Sequence, residues 1–281
     1  MAQNAIFESE TRAPKYYVGI GASAGGLEAL QEFFKNLPVD IDASYIVIQH
    51  LAPDYKSMMD ELLSRFTTLS IKKIKNGQNV EKQTIYLIPP AYNLTIYHGK
   101  LYLDKQNPQR GFNLPVDIFL RSLANDQEKQ AVAVILSGTG SDGTMGVKAI
   151  KEMGGMVIVQ DEQTAKFDGM PRNAIATGLV DYVLAPAKMG EALNTYIAHP
   201  FITPLASSTQ EISAMHIDAL SKILLILRDS CKIDFSFYKE NTIIRRIERR
   251  VGIKRFKTLG EYLGFLIGSE EEKQILYKDL L

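Results

Sequence analysis

An apolar segment, Tyr16 to Ile20, runs into Gly19-Ile20-Gly21-Ala22-Ser23-Ala24-Gly25-Gly26 and then into a stretch with helical spacing of apolar residues, Leu27 to Leu37. A strand feeding through a tight turn into a helix is the opening half of a β-α-β unit, which commits the chain to layered α/β architecture. Glycines on both sides of a serine supply backbone angles that other residues avoid. They would set the Ser23 hydroxyl at the positive end of a helix, among backbone N–H groups. A nucleophile and the donors of an oxyanion hole can share such a place.

The same alternation continues to about Tyr196. Tyr16–Gly21, Ser44–Gln49, Ile85–Ile88, Ala131–Leu136 and Met156–Val159 read as strands, and Leu27–Leu37, Lys56–Phe66, Val116–Ala124 and Gly143–Met153 as helices. The expected fold is therefore α/β, with a doubly wound, mainly parallel sheet. Thr95-Ile96-Tyr97 and Leu101-Tyr102-Leu103 flank His98-Gly99 and read as an inserted hairpin, with His98 a turn residue. Pro200, Pro204 and Ser207-Ser208-Thr209 mark a linker, and beyond it the pattern is helical: Ile217–Arg228, Thr242–Lys254, Leu259–Ile267 and Glu270–Leu281. Ser269 precedes three glutamates and suits a helix cap. The expected organisation is a flexible N-terminus (1–14), an α/β domain (15–198), a linker (199–210) and a small all-α domain (211–281). A chain of 281 residues is long enough for two such cores.

Two readings fit the first turn. Gly21-x-Ser23-x-Gly25 matches a nucleophile elbow, and Gly19-x-Gly21-x-x-Ala24 matches a relaxed dinucleotide fingerprint. A dinucleotide site wants Asp or Glu at the end of the second strand, whereas Tyr45-Ile46-Val47-Ile48 ends in Gln49-His50. A histidine there suits a general base better than a ribose clamp. A second glycine-rich turn, Ser137-Gly138-Thr139-Gly140-Ser141-Asp142-Gly143, follows the strand Ala131–Leu136. Ser23, His50 and Asp142 thus stand at the ends of three strands, where open parallel sheets bind ligands, and can serve as nucleophile, base and base-orienter. The plainer alternatives remain beside this one: a simple turn at Ser23, a hydrogen-bonded structural His50, and Asp142 as the cap of the helix it opens.

These motifs resemble the CheB-type protein-glutamate methylesterases of bacterial chemotaxis. The likeness rests on Val18–Gly26, Ile48-Gln49-His50-Leu51 and Ser137–Gly143. It extends through Ile85–Pro90, Pro115-Val116-Asp117 with Phe119–Ser122, Gly154-Gly155, Gln160-Asp161 and Met170–Ala174. The resemblance implies hydrolysis of glutamate γ-methyl esters on chemoreceptors, and by the same route deamidation of glutamine. It assigns nucleophile, base and orienter to Ser23, His50 and Asp142, with the oxyanion turn formed around Ala24, Gly25, Thr139 and Gly140. Ala24 stands where many members have threonine and Thr139 where many have methionine. The residues before Tyr16 are too few for the phosphoacceptor receiver domain that members often carry, so control by a fused receiver is not expected. Asp234–Lys239 with Thr242–Arg250 resembles the N-terminal helical domain of CheR-type receptor methyltransferases. No cofactor fingerprint follows before Leu281, and methyltransferase activity is not expected from these residues.

Other classes receive less support. The formal net charge is zero, which gives no global attraction to nucleic acid or anionic membrane. No apolar run approaches the roughly 20 residues of a membrane helix, and the first residues do not read as a secretory signal. Cys231 is the only cysteine, which excludes an internal disulfide and a cysteine-based zinc site. No cofactor and no metal are expected, and a cytoplasmic location is. Arg245, Arg246, Arg249 and Arg250 form a positive strip on one helix. Such a strip is most simply a solvated face, while the methyltransferase resemblance implies docking onto an acidic receptor helix. The expected partner is a methylated chemoreceptor or similar signalling protein. A docking module without turnover is the alternative function, and a dinucleotide-binding domain the more distant one.

Overall fold

Strand β1 (Tyr16–Ala22) is buried along its whole length and takes a parallel neighbour on each side. Burial on both faces explains its unbroken apolar character, since parallel strands covered by helices on both sides need no polar face. The computed structural model describes residues 13–49, 59–107, 113–198, 211–233, 235 and 240–280. They fall into two compact units that divide between residues 190 and 191.

In the first unit, β2 (Ala43–Gln49) pairs with one side of β1, followed by β5 (Thr84–Leu87) and the edge strand β3 (Ser70–Lys73). The other side carries β8 (Ala131–Ile135), β9 (Met156–Gln160) and β10 (Tyr182–Leu184). Every pairing in this seven-stranded sheet is parallel. The chain moves outward from β1 in one direction and later returns to build in the other, so the strand order reverses between β1 and β8. That reversal opens a crevice at the carboxyl ends of the two strands.

Helix α1 (Gly26–Lys35) leads from β1 to β2, α3 (Pro115–Gln127) precedes β8, and α4 (Thr144–Glu152) joins β8 to β9. Val116, Phe119, Leu120 and Leu123 of α3 share a core with Ile46, Ile48, Ala133, Ile135, Val157 and Val159. On the opposite face, Phe33 and Phe34 of α1 meet the Tyr45 ring edge-on, with centroids 6.2 and 5.7 Å apart. Gly19 and Gly21 belong to β1 rather than to the turn. A Cβ at Gly19 would stand 2.6 Å from Leu120 Cδ2, and one at Gly21 2.5 Å from Val116 Cγ1. These glycines let α3 lie directly on the strand, and the space a pyrophosphate would need in front of them is filled by Leu120 and Val116.

The five strands read from the sequence are present with ends shifted by at most one residue, α1 and α4 by one or two, and α3 runs three residues beyond the expected Ala124 to Gln127. The inserted hairpin is β6 (Tyr92–Tyr97) with β7 (Lys100–Lys105), joined through His98 (φ 48°) and Gly99 (φ 69°). Two left-handed residues in succession match the twist of paired strands, and the Asp126 carboxylate accepts both of their N–H groups, at 2.5 and 3.0 Å. A short strand β4 (Gln78–Asn79) completes this small antiparallel sheet. Of the helix expected at Lys56–Phe66, α2 covers Met59–Leu63, and residues 51–58 lie outside the described ones. Helices α5 (Gly169–Ile175) and α6 (Pro186–Ala198) lacked a clear apolar period in the sequence. The expected linker 199–210 lies outside the described residues.

Four helices dominate the second unit: α7 (Glu211–Cys231), α8 (Glu240–Ile253), α9 (Leu259–Gly268) and α10 (Glu270–Leu280). Ile223, Leu227, Ile247, Val251, Tyr262, Leu266 and Leu276 form their core. Thr258 caps α9 by accepting the Glu261 N–H at 3.1 Å, and Ser269 caps α10 through the Glu272 N–H at 3.2 Å. The latter is the cap read from the sequence. No helix among the described residues is long and apolar enough to cross a membrane.

Candidate active site

Ser23 leaves the carboxyl end of β1 at the reversal point, half-buried. Its N–H donates to the Ser137 carbonyl at 3.0 Å, and its own carbonyl accepts from Gly26 N–H at 2.9 Å. The sharp turn into α1 falls on Gly25, with φ 69° and ψ 4°. A side chain there would be strained by the left-handed backbone and would place a Cβ 2.8 Å from both Lys166 Cβ and Ser137 Oγ. Of the glycines around the serine, Gly25 makes the turn, while Gly21 makes room for α3.

The loop after β8 forms the other wall. A Cβ at Gly138 would lie 2.9 Å from Ser23 Cβ and 2.2 Å from Met170 Sδ. The bare backbone at Gly138 therefore abuts the serine side chain. This loop is held from below: Gly138 N–H donates to Phe167 O at 2.9 Å, and Met170 N–H donates to Gly138 O at 2.8 Å. The Asn173 side-chain amide donates to Gly140 O at 3.0 Å and to Gly169 O at 2.8 Å. Thr139 and Gly140 themselves are exposed, Gly140 with φ 81°. Among the described residues, the N–H groups of Ala24, Gly25, Thr139 and Gly140 meet no acceptor. Donors left open on two facing turns beside a serine hydroxyl are suited to stabilise a developing oxyanion.

Asp142 is 2 % exposed. Its Oδ2 accepts from Val116 N–H and its Oδ1 from Asp117 N–H, both at 2.9 Å. These are the orphan donors of the first turn of α3, whose Pro115 has no N–H. The cap role raised by the sequence thus falls on α3, not on the helix Asp142 opens. Asp117 returns the favour to α4, accepting from Gly146 N–H at 2.7 Å. The two helices exchange carboxylate caps. Burial chiefly pushes the Asp117 carboxyl above its ordinary value, with the Asp142 charge acting in the same direction and the Gly146 N–H opposing both.

His50 lies outside the described residues. The strand leading to it ends at Gln49, whose Cα is the register partner of Ala22, one residue before the serine. Sequence reasoning passed over Ser137, Asn173 and Asp117 as members of the site. Ser137 was signalled only as the first polar residue after an apolar run. Among the described residues no group of His, Cys, Asp and Glu side chains is arranged to hold a metal ion.

In its last two arginines the basic strip on α8 is not the solvated face expected. Arg249 and Arg250 are 3 % and 4 % exposed. Arg250 makes a two-pronged pair with Glu272, Nη2 lying 2.7 and 2.8 Å from the two carboxylate oxygens. Arg249 pairs with Asp279, and the half-buried Arg246 donates to the Asp279 carbonyl. Tyr262 Oη donates to Glu272 Oε1 at 3.0 Å. The sequence correctly placed these arginines on a helix, but the acidic residues of α10 draw the last two inward. Neither is a free cation for a partner. The side chain of Arg245 is not among those described.

A parallel sheet with a serine turn and an open donor loop at its reversal point defines an α/β enzyme fold. The chain belongs to the CheB methylesterase family: that family's model matches residues 18–193. The model of the CheR methyltransferase all-alpha domain matches residues 218–281. The catalytic domain of Thermotoga maritima CheB methylesterase superposes with a TM-score of 0.59 at 33% identity, covering 64% of this chain and 97% of that one. The Thermotoga maritima protein-glutamate methylesterase/protein-glutamine glutaminase is 34% identical over 180 residues, 63% of this chain and 52% of that protein. An uncharacterized 104.1 kDa protein of Rhodobacter capsulatus is 36% identical over 242 residues, 79% of this chain, a length that reaches into both matched segments. This chain covers only 25% of that relative's length.

Proposed function

We propose that the chain hydrolyses glutamate γ-methyl esters on chemoreceptor-type signalling proteins. The observation that carries this reading is the Ser23 side chain abutting Gly138 at the reversal of strand order, with open N–H groups on both adjoining turns. Membership in the methylesterase family supports the reaction class. Ser23 Oγ attacks the ester carbonyl while His50 takes its proton. Asp142 holds the imidazole in the required tautomer and stabilises the imidazolium. Backbone N–H groups of Ala24 or Gly25 and of Thr139 or Gly140 receive the oxyanion. His50 returns the proton to the departing methoxide, methanol leaves, and water then releases the glutamate by the reverse sequence.

A glutamine side chain would follow the same route with ammonia as the leaving group. The names of the relatives, protein-glutamate methylesterase/protein-glutamine glutaminase, favour this second substrate. We take residues 15–198 as the catalytic domain and 211–281 as a helical domain, and place the reaction in the cytoplasm.

Methanol release from radiomethylated receptor membranes tests the assignment. Ser23→Ala is expected to lower the rate on the order of 10⁴-fold or more. An unchanged rate would remove Ser23 as nucleophile. No release from either protein would favour a docking module without turnover.

A further inference from the structure

Ser137 follows Leu136, two residues past the end of β8, and is fully buried, a polar side chain after an apolar run. Each of its polar groups has a partner, and two of them lie on the nucleophile turn. Its carbonyl accepts from Ser23 N–H at 3.0 Å. Its Oγ lies 2.8 Å from the Ala24 carbonyl, 3.0 Å from Phe167 N and 3.2 Å from Phe167 O. A hydroxyl has one proton and two lone pairs. The shorter contact takes the proton to Ala24 O, and Phe167 N–H donates to the hydroxyl. The Ser137 N–H is itself fixed on Gln160 Oε1 at 2.8 Å, and Gln160 Nε2 donates to Thr164 O at 3.1 Å.

We propose that Ser137 is a positioning residue for Ser23: its carbonyl and hydroxyl hold the two consecutive residues that carry the nucleophile. The inference rests on the esterase reading of Ser23. The turn needs such a tie because Gly25, with a left-handed backbone and no side chain, contributes no packing of its own. The same hydroxyl also secures Phe167, whose carbonyl holds Gly138 N–H. One side chain therefore sets the spacing between the serine and the opposite donor loop. Removing the hydroxyl leaves the Ala24 carbonyl and the Phe167 N–H without their partner in a buried place. The turn then relaxes, and a small displacement of a nucleophile harms reaction far more than binding.

The test compares full-length wild type, Ser23→Ala, Ser137→Thr and Ser137→Val in steady-state methanol release. Thr keeps the hydroxyl, and Val has the same shape without it. Ser137→Val is expected to lose about tenfold or more in kcat with KM within about twofold, and Ser137→Thr to keep kcat within about threefold. If the Val variant fails to fold, Ser137→Ala is expected to show the same split. Wild-type kcat in Ser137→Val or Ser137→Ala would overturn the proposal, as would equal losses in the Thr and Val variants. Absence of Ser23-dependent release from the wild type would instead overturn the esterase reading, and the positioning role with it.

Discussion

Asp142 has a structural duty besides the one proposed for it in catalysis. Through Val116 and Asp117 it terminates α3, while Asp117 terminates α4. Loss of activity on substituting Asp142 would therefore mix chemistry with folding. Asp117 separates the two more cleanly. Its carboxyl is pushed up in the fold, so the native state keeps the proton at pH values where the unfolded chain has released it. Stability from this group then falls as pH rises from the ordinary carboxylate range through the folded value. Asn at this position cannot ionise but still offers Oδ1 to Gly146 N–H. Asp117→Asn is expected to be at least as stable as wild type near pH 7, with the advantage shrinking toward about pH 4. Urea midpoints at the two values measure it, and an advantage that grew in acid would refute the sign. Ser23 and Asp142 were legible because each stands in a glycine-rich turn after an apolar run. The cap target of Asp142 was not, because its partners lie 25 and 26 positions earlier in the chain. Ser137 was hidden for a related reason: a buried hydroxyl is recognised by what surrounds it, and a serine after a strand carries no pattern.

Among the elements, β1 and α3 are fitted to each other at two glycines, Gly19 and Gly21. A methyl at Gly21 would sit 2.5 Å from Val116 Cγ1, and the β-branched Val116 has little rotamer freedom with which to yield. Gly21→Ala is expected to destabilise the α/β unit by about 1–3 kcal/mol, as overpacked cores do. Urea unfolding followed by circular dichroism measures it, and a neutral result would show that α3 can move outward freely. The strands flanking β1 were legible because burial on both faces leaves continuous apolar runs. β3 was not, since Ser70–Lys73 lies at the sheet edge with no residue fully buried. α5 was missed because seven residues with Pro171 near the start are too short to show a helical period.

At the scale of the whole chain, the two units rest on different physics. The first is held by a large apolar sheet core with a buried Lys151–Asp181 pair at its margin, while the second is a smaller helical core with a cluster of ions inside it. Glu272 is 1 % exposed and receives Arg250, Tyr262 and Lys254. Removing it leaves the buried Arg250 guanidinium with only its longer contact to Asp279, at 3.8 Å. Glu272→Ala is expected to destabilise the helical unit by about 3–5 kcal/mol. Thermal denaturation is expected to show an earlier loss of helical signal, with Ser23-dependent methanol release retained through and beyond that transition. Loss of release in step with the helical signal would show that the units do not fail separately. The positive strip of α8 was legible as a strip. The inward turn of Arg249 and Arg250 was not, because the acidic residues that capture them lie on a later helix.

The same pairing changes how α8 is felt from solution. A guanidinium held 2.7 Å from a carboxylate acts at a distance as a small dipole, and its potential fades much faster than that of a lone charge. Arg249 and Arg250 thus add almost nothing to the field beyond a Debye length, about 8 Å at physiological ionic strength. An acidic surface approaching this helix would not be steered by them, and added salt would do little at these two positions to slow its arrival.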